Sequence, residues 1–339
     1  MTVTATRLAF FVLLLSILVA VLRGPARSEY TFNGLKRNYY SQPNDVTTSN
    51  PDKERILLVT AHPDDECLFF GPTLLGLTSN ASNLQNGENE RANIPEIFSF
   101  CLSVGDADGL GPVRREEYEK SLDILGVPKG NRMVLDHPDL RDDIRTRWKP
   151  EVIAEAVKPF AQEHRITTIL TFDREGISQH PNHQSIPYGI RHLISTWPSD
   201  SESLQTKPRL FTLITVPLSI KYISVLAPLL AKYDLYSAEV LHYFEDQLVR
   251  LVGLVRSFRS LAVANTFDSV SSQATETRPA DGSRNRNPNP MPVFVSGTRE
   301  YFIALKAMKE HWSQLVWFRW LNVMFSRYMW VNEWVEVKM

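Results

Sequence analysis

Residues 56–66, Ile-Leu-Leu-Val-Thr-Ala-His-Pro-Asp-Asp-Glu, constrain the fold of this chain more than any other stretch. Ile56 to Val59 is a short unbroken apolar run, the pattern of a strand buried on both faces. It leads directly into one imidazole and three carboxylates: His62, Asp64, Asp65 and Glu66. Pro63 lies inside that cluster and lacks a backbone donor, so a helix begins after it. In open α/β folds ligands lie where a buried strand ends and a helix starts. Four ionisable groups are expensive to dehydrate at such a place unless they hold something, and a metal ion is the simplest occupant.

A chain of 339 residues can bury a full core. Its 37 basic and 38 acidic residues give a net charge of −1, so no basic field favours nucleic acid as a partner. Cys67 and Cys101 cannot build a disulfide framework and lack the spacing of a thiolate zinc site; they indicate a reducing compartment. Leu8 to Leu22 is an apolar run of 15 residues broken only by Ser16. It falls slightly short of the ~20 residues usual for a spanning helix, and no clear small-x-small cleavage site follows. Residues 1–27 therefore read as an uncleaved transmembrane anchor, not a secretory signal. Basic residues are denser after the run (Arg23, Arg27, Lys36, Arg37) than before it (Arg7), which places the body of the protein in the cytosol.

Residues 28–54 are polar and irregular and read as a linker. Ile56–Thr60 is the first expected strand, and Glu66–Leu77 continues as a helix. After a polar loop come a strand over Glu96–Val104, a flexible Gly-Asp-rich loop at 105–111 and a helix from about Val113 to Leu125. Arg132–Leu135 is a short strand, Pro150–His164 a helix and Ile166–Phe172 a buried strand ending in Asp173. A helix from Gln184 to about Thr196 and a strand over Leu210–Val216 follow. Strands alternating with helices from residue 55 to about 216 indicate an α/β fold with a Rossmann-like, doubly wound, mainly parallel sheet. The expected α/β domain spans 55–260. Leu218–Tyr233 is apolar enough for a core helix or a membrane surface. Residues 261–292 have the composition of a disordered insertion. Residues 293–339 form a C-terminal extension whose Trp312, Trp317, Trp320, Trp330 and Trp334 stand among basic residues, suited either to a bilayer interface or to packing on the core.

His62 and Asp65 lie three residues apart across a strand-to-helix turn, so both can face one point. His180 and His183 repeat that spacing after the strand that ends at Phe172. In a doubly wound sheet both turns emerge at the carboxyl edge and can meet there. Two imidazoles and a carboxylate with an open fourth position form a catalytic zinc set, and such an ion lowers the pKa of bound water to about 7. A carboxylate not spent on the metal can take the water's proton, and Asp64 is the natural candidate. His180 can stabilise an oxyanion or protonate a leaving amine. Glu66 alone has no assigned work. Taken singly, a His-x-x-His on a loop is more often structural, and an Asp-Asp-Glu run is more often a helix-start charge cluster. Both clusters at two strand ends favour the metal. Carboxylates and histidines also build two-metal phosphoesterases, and two His with one Asp also accept Fe(II) or Mn(II).

The motif Ala61-His62-Pro63-Asp64-Asp65-Glu66, with Thr171-Phe172-Asp173 and Gly176-Ile-Ser-Gln-His-Pro-Asn-His183, resembles the PIG-L/LmbE de-N-acetylase family. Gly111-Pro-Val-Arg114-Arg-Glu-Glu117 and Leu125-Gly-Val-Pro128 are similar to it too. The resemblance covers roughly residues 54–200. It implies that His62, Asp65 and His183 ligate a divalent metal, Zn2+ by preference. It further implies Asp64 as general base, His180 as oxyanion stabiliser and acid, and Arg114 as a substrate contact oriented by Glu117, with Asp173 supporting a histidine. The implied activity is removal of acetate from N-acetylglucosamine linked to phosphatidylinositol, in glycosylphosphatidylinositol (GPI) anchor synthesis at the endoplasmic reticulum membrane. Another N-acetyl sugar conjugate is the alternative substrate, and a metal-dependent phosphoesterase the alternative activity. Gln179 departs from the family, where a small residue is commoner, and bears on the pocket rim.

Overall fold

The structure is a computed structural model describing residues 2–28, 32, 54–83, 95–198, 206–264 and 291–339. Eight strands form one sheet: β1 (Ala26–Arg27), β2 (Arg55–Thr60), β3 (Glu96–Cys101), β4 (Arg132–Val134), β5 (Thr168–Phe172), β6 (Arg209–Leu213), β7 (Val293–Val295) and β8 (Val331–Glu336). Their order is β1-β7-β8-β6-β5-β2-β3-β4. Pairings among β4, β3, β2, β5 and β6 are parallel, while β8 runs antiparallel to β6 and to β7. The expected mainly parallel α/β sheet is therefore present, extended by an antiparallel edge. β2 is central, and Ile56 to Val59 are all buried. From β2 the chain winds outward through β3 and β4, then returns to the other side of β2 for β5 and β6. That reversal leaves a crevice at the carboxyl ends of β2 and β5, where such sheets bind ligands.

The helices are α1 (Thr2–Arg23), α2 (Asp65–Leu68), α3 (Gly71–Asn83), α4 (Gly111–Leu125), α5 (Pro150–Glu163), α6 (Gly176–Gln179), α7 (Pro181–Ser195), α8 (Leu218–Lys221), α9 (Leu226–Ala264), α10 (Thr298–Glu310) and α11 (Trp317–Phe325). The helix expected over 66–77 is broken in two at Phe69-Phe70. Pro72 starts α3, and the side chain of Asn332 on β8 bridges the break, donating to the Phe69 carbonyl (2.7 Å) and accepting from the Thr73 amide (3.1 Å). The 105–111 loop is not loose: it holds a 3-10 turn over Asp106–Asp108, and Asp106 accepts from the Gly111 amide at 2.6 Å.

The C-terminal stretch divides between the two readings open to it. Trp330 and Trp334 are buried, and Trp334 packs against Phe70 and Phe32 while its indole N–H donates to Thr73. Trp312, Trp317 and Trp320 are exposed. Residues 293–295 and 331–336 are strands of the main sheet, so the fold closes only at the chain's end and not near residue 260.

Residues 1–231 and 290–339 make one unit containing the sheet, and Lys232–Asn289 a second, whose described part continues α9 to Ala264. Most of the expected disordered insertion, residues 265–290, and most of the expected linker, residues 33–53, lie outside the described residues. α1 presents large apolar side chains on every side, from Leu8 to Val21. Among the described residues no helix is long and apolar enough to cross a membrane.

Candidate metal centre

β2 delivers His62, Asp64 and Asp65 to the crevice, and the turn after β5 delivers His180 and His183. The backbone is bent hard at both places. Asp64 has φ 106°, a conformation that Asp tolerates better than most residues, and Ile177 has φ 59°, a genuine outlier for a β-branched side chain. Gly176 also has positive φ, and a Cβ there would stand 2.8 Å from that of His183, so glycine is required for the histidine to take its place. Strain of this kind persists where surrounding structure over-determines it, commonly at functional sites.

Three acceptors converge. His62 Nδ1 lies 3.3 Å from His183 Nε2, which lies 3.3 Å from Asp65 Oδ1. Their other polar atoms are already committed. Asp65 Oδ2 accepts from the Ala61 and His62 amides at 3.0 and 2.9 Å. His62 Nε2 faces Asn182 Oδ1 (3.0 Å) and Asp142 Oδ1 (3.2 Å). His183 Nδ1 faces the Gly176 carbonyl (3.2 Å) and Ser178 Oγ (3.1 Å), and its ring stacks on Phe172 with centroids 4.3 Å apart. These partners put the ring protons on the outer nitrogens and leave two lone pairs and a carboxylate oxygen facing one another. A tetrahedral ion with bonds of about 2.0–2.1 Å sets its ligand atoms about 3.3 Å apart, the distance of His183 Nε2 from both His62 Nδ1 and Asp65 Oδ1. The donor set fits a divalent metal.

His183 Nε2 and Asp65 Oδ1 also attract each other directly. Burial opposes the charged form of both, but their mutual attraction wins, raising His183 and holding Asp65 below the ordinary carboxylate range. His62 is pushed down to about 4, chiefly by burial, so it stands neutral as a ligand must. His180 brings a ring nitrogen within 4.8 Å of those of His62 and His183, but it is only half-buried and turns toward Asp142 at 3.8 Å. It stands at the pocket side of the cluster. Burial, then the neighbouring His183, lowers its pKa.

Asp64 is buried beside the ligands and forms an ion pair with Arg319 on α11, Oδ2 to Nη1 2.7 Å. Burial pushes its carboxyl up, against the pull of Arg319 and Arg114. Arg114 is buried and spends its guanidinium on structure. It donates to the Gly105 carbonyl at 2.8 Å, to the Pro63 carbonyl at 2.9 Å and to Asp142 at 3.2 Å. Its Nε has no partner among the described residues. Glu117 does not orient it, contrary to expectation: that carboxylate caps the turn after α10, accepting from the Ser313 amide and hydroxyl. Nor does Asp173 support a histidine. It accepts from the Thr215 amide and hydroxyl at 2.6 Å each and from the Glu175 and Gly176 amides, shaping the strained turn instead.

Glu66 also has its work. Oε2 accepts from the Asp64 amide at 3.0 Å, holding the bent backbone, while Oε1 accepts from Ser121 (2.5 Å) and pairs with His311 (2.6 Å). Potential ligand atoms of Glu66, Cys67 and His311 also lie within 4.8 Å of one another. Glu66 and His311 are bonded directly to each other, however, and burial keeps Cys67 a thiol, so the cluster is closed. Asp142, Asn182, Arg319 and His311 are the functional neighbours that sequence reasoning missed. None stands at a motif spacing that marks it; Asn182 lies within the His180–His183 motif but offers no ligand of its own.

A cavity of about 750 Å³ opens over the cluster, a size suited to a small polar head group. It is lined by His62, Asp64, Asp65, His180 and His183 with Arg114 and Asp142, and by the solvent-exposed Tyr222, Phe318, Leu321 and Phe325, which mark its open side.

The sequence profile of the PIG-L family, described as GlcNAc-PI de-N-acetylase, matches residues 57–194. The chain is 31% identical over 278 residues to the N-acetylglucosaminyl-phosphatidylinositol de-N-acetylase of Bos taurus, covering 82% of this chain and 81% of that one. It is 28% identical to the protein of the same name from Saccharomyces cerevisiae, covering 82% and 80%. It is also 28% identical to a 1D-myo-inositol 2-acetamido-2-deoxy-alpha-D-glucopyranoside deacetylase from Kribbella flavida, over only 39% of this chain and 50% of that one. Among solved structures it overlays a deacetylase of teicoplanin biosynthesis with a TM-score of 0.44 at 12% identity, over 84% of this chain and 99% of that chain. The chain belongs to the PIG-L family of GlcNAc-PI de-N-acetylases.

Proposed function

We propose that this enzyme hydrolyses the acetamide of N-acetylglucosaminyl-phosphatidylinositol, releasing acetate and leaving a free amine on the sugar, the second step of GPI anchor synthesis. The observation that carries the reading is the convergence of His62 Nδ1, Asp65 Oδ1 and His183 Nε2 in one pocket lined also by the Asp64 carboxylate and the His180 imidazole. Those three residues would hold a divalent ion, zinc by preference, which would lower the pKa of a bound water and polarise the amide carbonyl. Asp64 takes the attacking water's proton; its raised affinity for protons suits it to the task. His180 faces the cavity, where it donates to the oxygen on which charge develops and to the departing nitrogen. The water oxygen bonds to the acetyl carbon, the C–N bond breaks, and the proton ends on the amine. Arg114 and Asp142 hold the loops and the His62 ring.

α1, apolar on all sides, is the membrane anchor in this reading, with the catalytic unit on the cytosolic face of the endoplasmic reticulum. An apolar run of 15 residues rises only about 22 Å against a core of about 30 Å, so spanning requires local thinning of the bilayer or snorkelling of its flanking arginines. The phosphoesterase alternative calls for a second ion, and the one other candidate cluster among the described residues is closed. Incubation of the purified protein with N-acetylglucosaminyl-phosphatidylinositol tests the proposal. Acetate in step with free amine is expected, and release of phosphate without acetate would contradict it.

A further inference from the structure

Two stretches that the deacetylase chemistry does not use border the pocket mouth. α11 turns Phe318, Leu321 and Phe325 toward the cavity, and Trp317, beside them, is 76% exposed. Tyr222, just after α8, also lines the cavity, and Leu218 at the start of α8 is 74% exposed. The stretches are joined: the Ser224 amide donates to the Phe325 carbonyl at 2.9 Å and the Ser224 hydroxyl to the Met324 carbonyl at 2.7 Å. A continuous apolar rim of this kind, with the site's opening inside it, is not left bare in water without a use.

Charge narrows the occupant. Neither 210–233 nor 311–332 contains a single Asp or Glu, and the cations nearest the cavity are engaged within the protein, Lys221 on the Ile177 carbonyl and Arg319 on Asp64. Tryptophan and other large apolar side chains on a short helix, in stretches without acids, match the interfacial region of a phospholipid leaflet. A protein partner seated on the same rim would cover the entrance. Both stretches lie outside residues 57–194, the part matched by the family profile, so the rim is an addition to the catalytic core. α11 is not free to drift from that core. Glu66 holds His311 and Glu117 holds Ser313, just before it, and Arg319 reaches from it to Asp64.

We propose that α11 and the 218–226 turn form a bilayer-docking lip, seated on a phospholipid leaflet, so that the pocket opens onto the membrane plane and a lipid-linked substrate need not leave the bilayer. The last clause rests on the deacetylase reading; the docking does not. The test uses the full chain with phosphatidylcholine vesicles carrying brominated acyl chains, which quench tryptophans near the acyl region. α1 contains no tryptophan, so its insertion cannot produce the signal. Quenching is expected in the wild type and largely lost in Trp317→Phe/Trp320→Phe. Absent quenching, or equal quenching in both proteins, overturns the proposal, as does a concentration-dependent dimer that Trp317→Asp disrupts. A second arm compares Trp317→Asp/Leu218→Asp with wild type on two substrates. Turnover of the vesicle-embedded glycolipid is expected to fall about ten-fold or more. Turnover of the acyl-free head group is expected to stay within about two-fold, which also reports an intact fold. Equal turnover of the embedded glycolipid by both proteins contradicts the lip. If wild type releases acetate from neither substrate, the deacetylase reading fails and the quenching alone decides the docking.

Discussion

Asp64 and Asp65 are the same side chain one residue apart, and the backbone gives them different work. Asp65 has one oxygen locked by two amides and the other turned to His183, whereas Asp64, swung out by its positive φ, meets Arg319. His62, Asp65 and His183, the proposed ligands, stand out in the sequence because each lies within three residues of another ionisable group after a strand. Asp142 was not legible, since it sits in an irregular loop with no periodicity and reaches the site only through tertiary structure. Yet it joins His62 Nε2 to Arg114, and carboxylates that fix a ligating imidazole tune the metal. Asp142→Asn is expected to weaken metal binding by about 10–100-fold. A chelator-competition titration checks this, and an unchanged affinity would show that Asn182 alone orients the ring.

At the scale of elements, the catalytic turn is braced from the far end of the chain. α2 is only four residues long and could not hold its own geometry. Glu66 ties it to His311 after α10, and Asn332 on β8 satisfies the break between α2 and α3. Aromatic and basic residues in the last forty positions announced either a surface or a core, and composition could not separate them. The separation lies in strand alternation: Trp334 falls on the inward face of β8, while Trp317 and Trp320 fall on a helix at the rim. His311→Ala leaves Glu66 buried without its partner and is expected to lower stability by about 3–5 kcal/mol. Denaturant unfolding checks this, and a loss below about 1 kcal/mol would mean that Ser121 suffices for Glu66.

For the molecule as a whole, the parallel half of the sheet could be read from alternating strands and helices, because each βαβ unit carries its own period. The antiparallel edge could not, because β7 and β8 return from beyond a long stretch of unrelated composition. The base of the sheet carries a pH response apart from the site. Burial raises Glu54 to about 7 from an ordinary 4.5, against the pull of Arg209 and a contact from Thr168. The raised value means that its contribution to stability is full below pH 4.5 and is lost as pH rises through about 7. Glu54→Gln is therefore expected to be relatively more stable than wild type at pH 8 than at pH 4, by an amount of the order of 3 kcal/mol. Parallel thermal melts across that range check it, and parallel curves for the two proteins would contradict it.

The account stands most directly on the division of labour between the ligands and the base. The measurement is metal per chain alongside acetate release, made on wild type, Asp64→Asn and His183→Ala. Wild type is expected to hold one divalent ion, Asp64→Asn to keep it while losing turnover by about 100-fold or more, and His183→Ala to lose both. Undiminished turnover in Asp64→Asn, or full metal in His183→Ala, would contradict it.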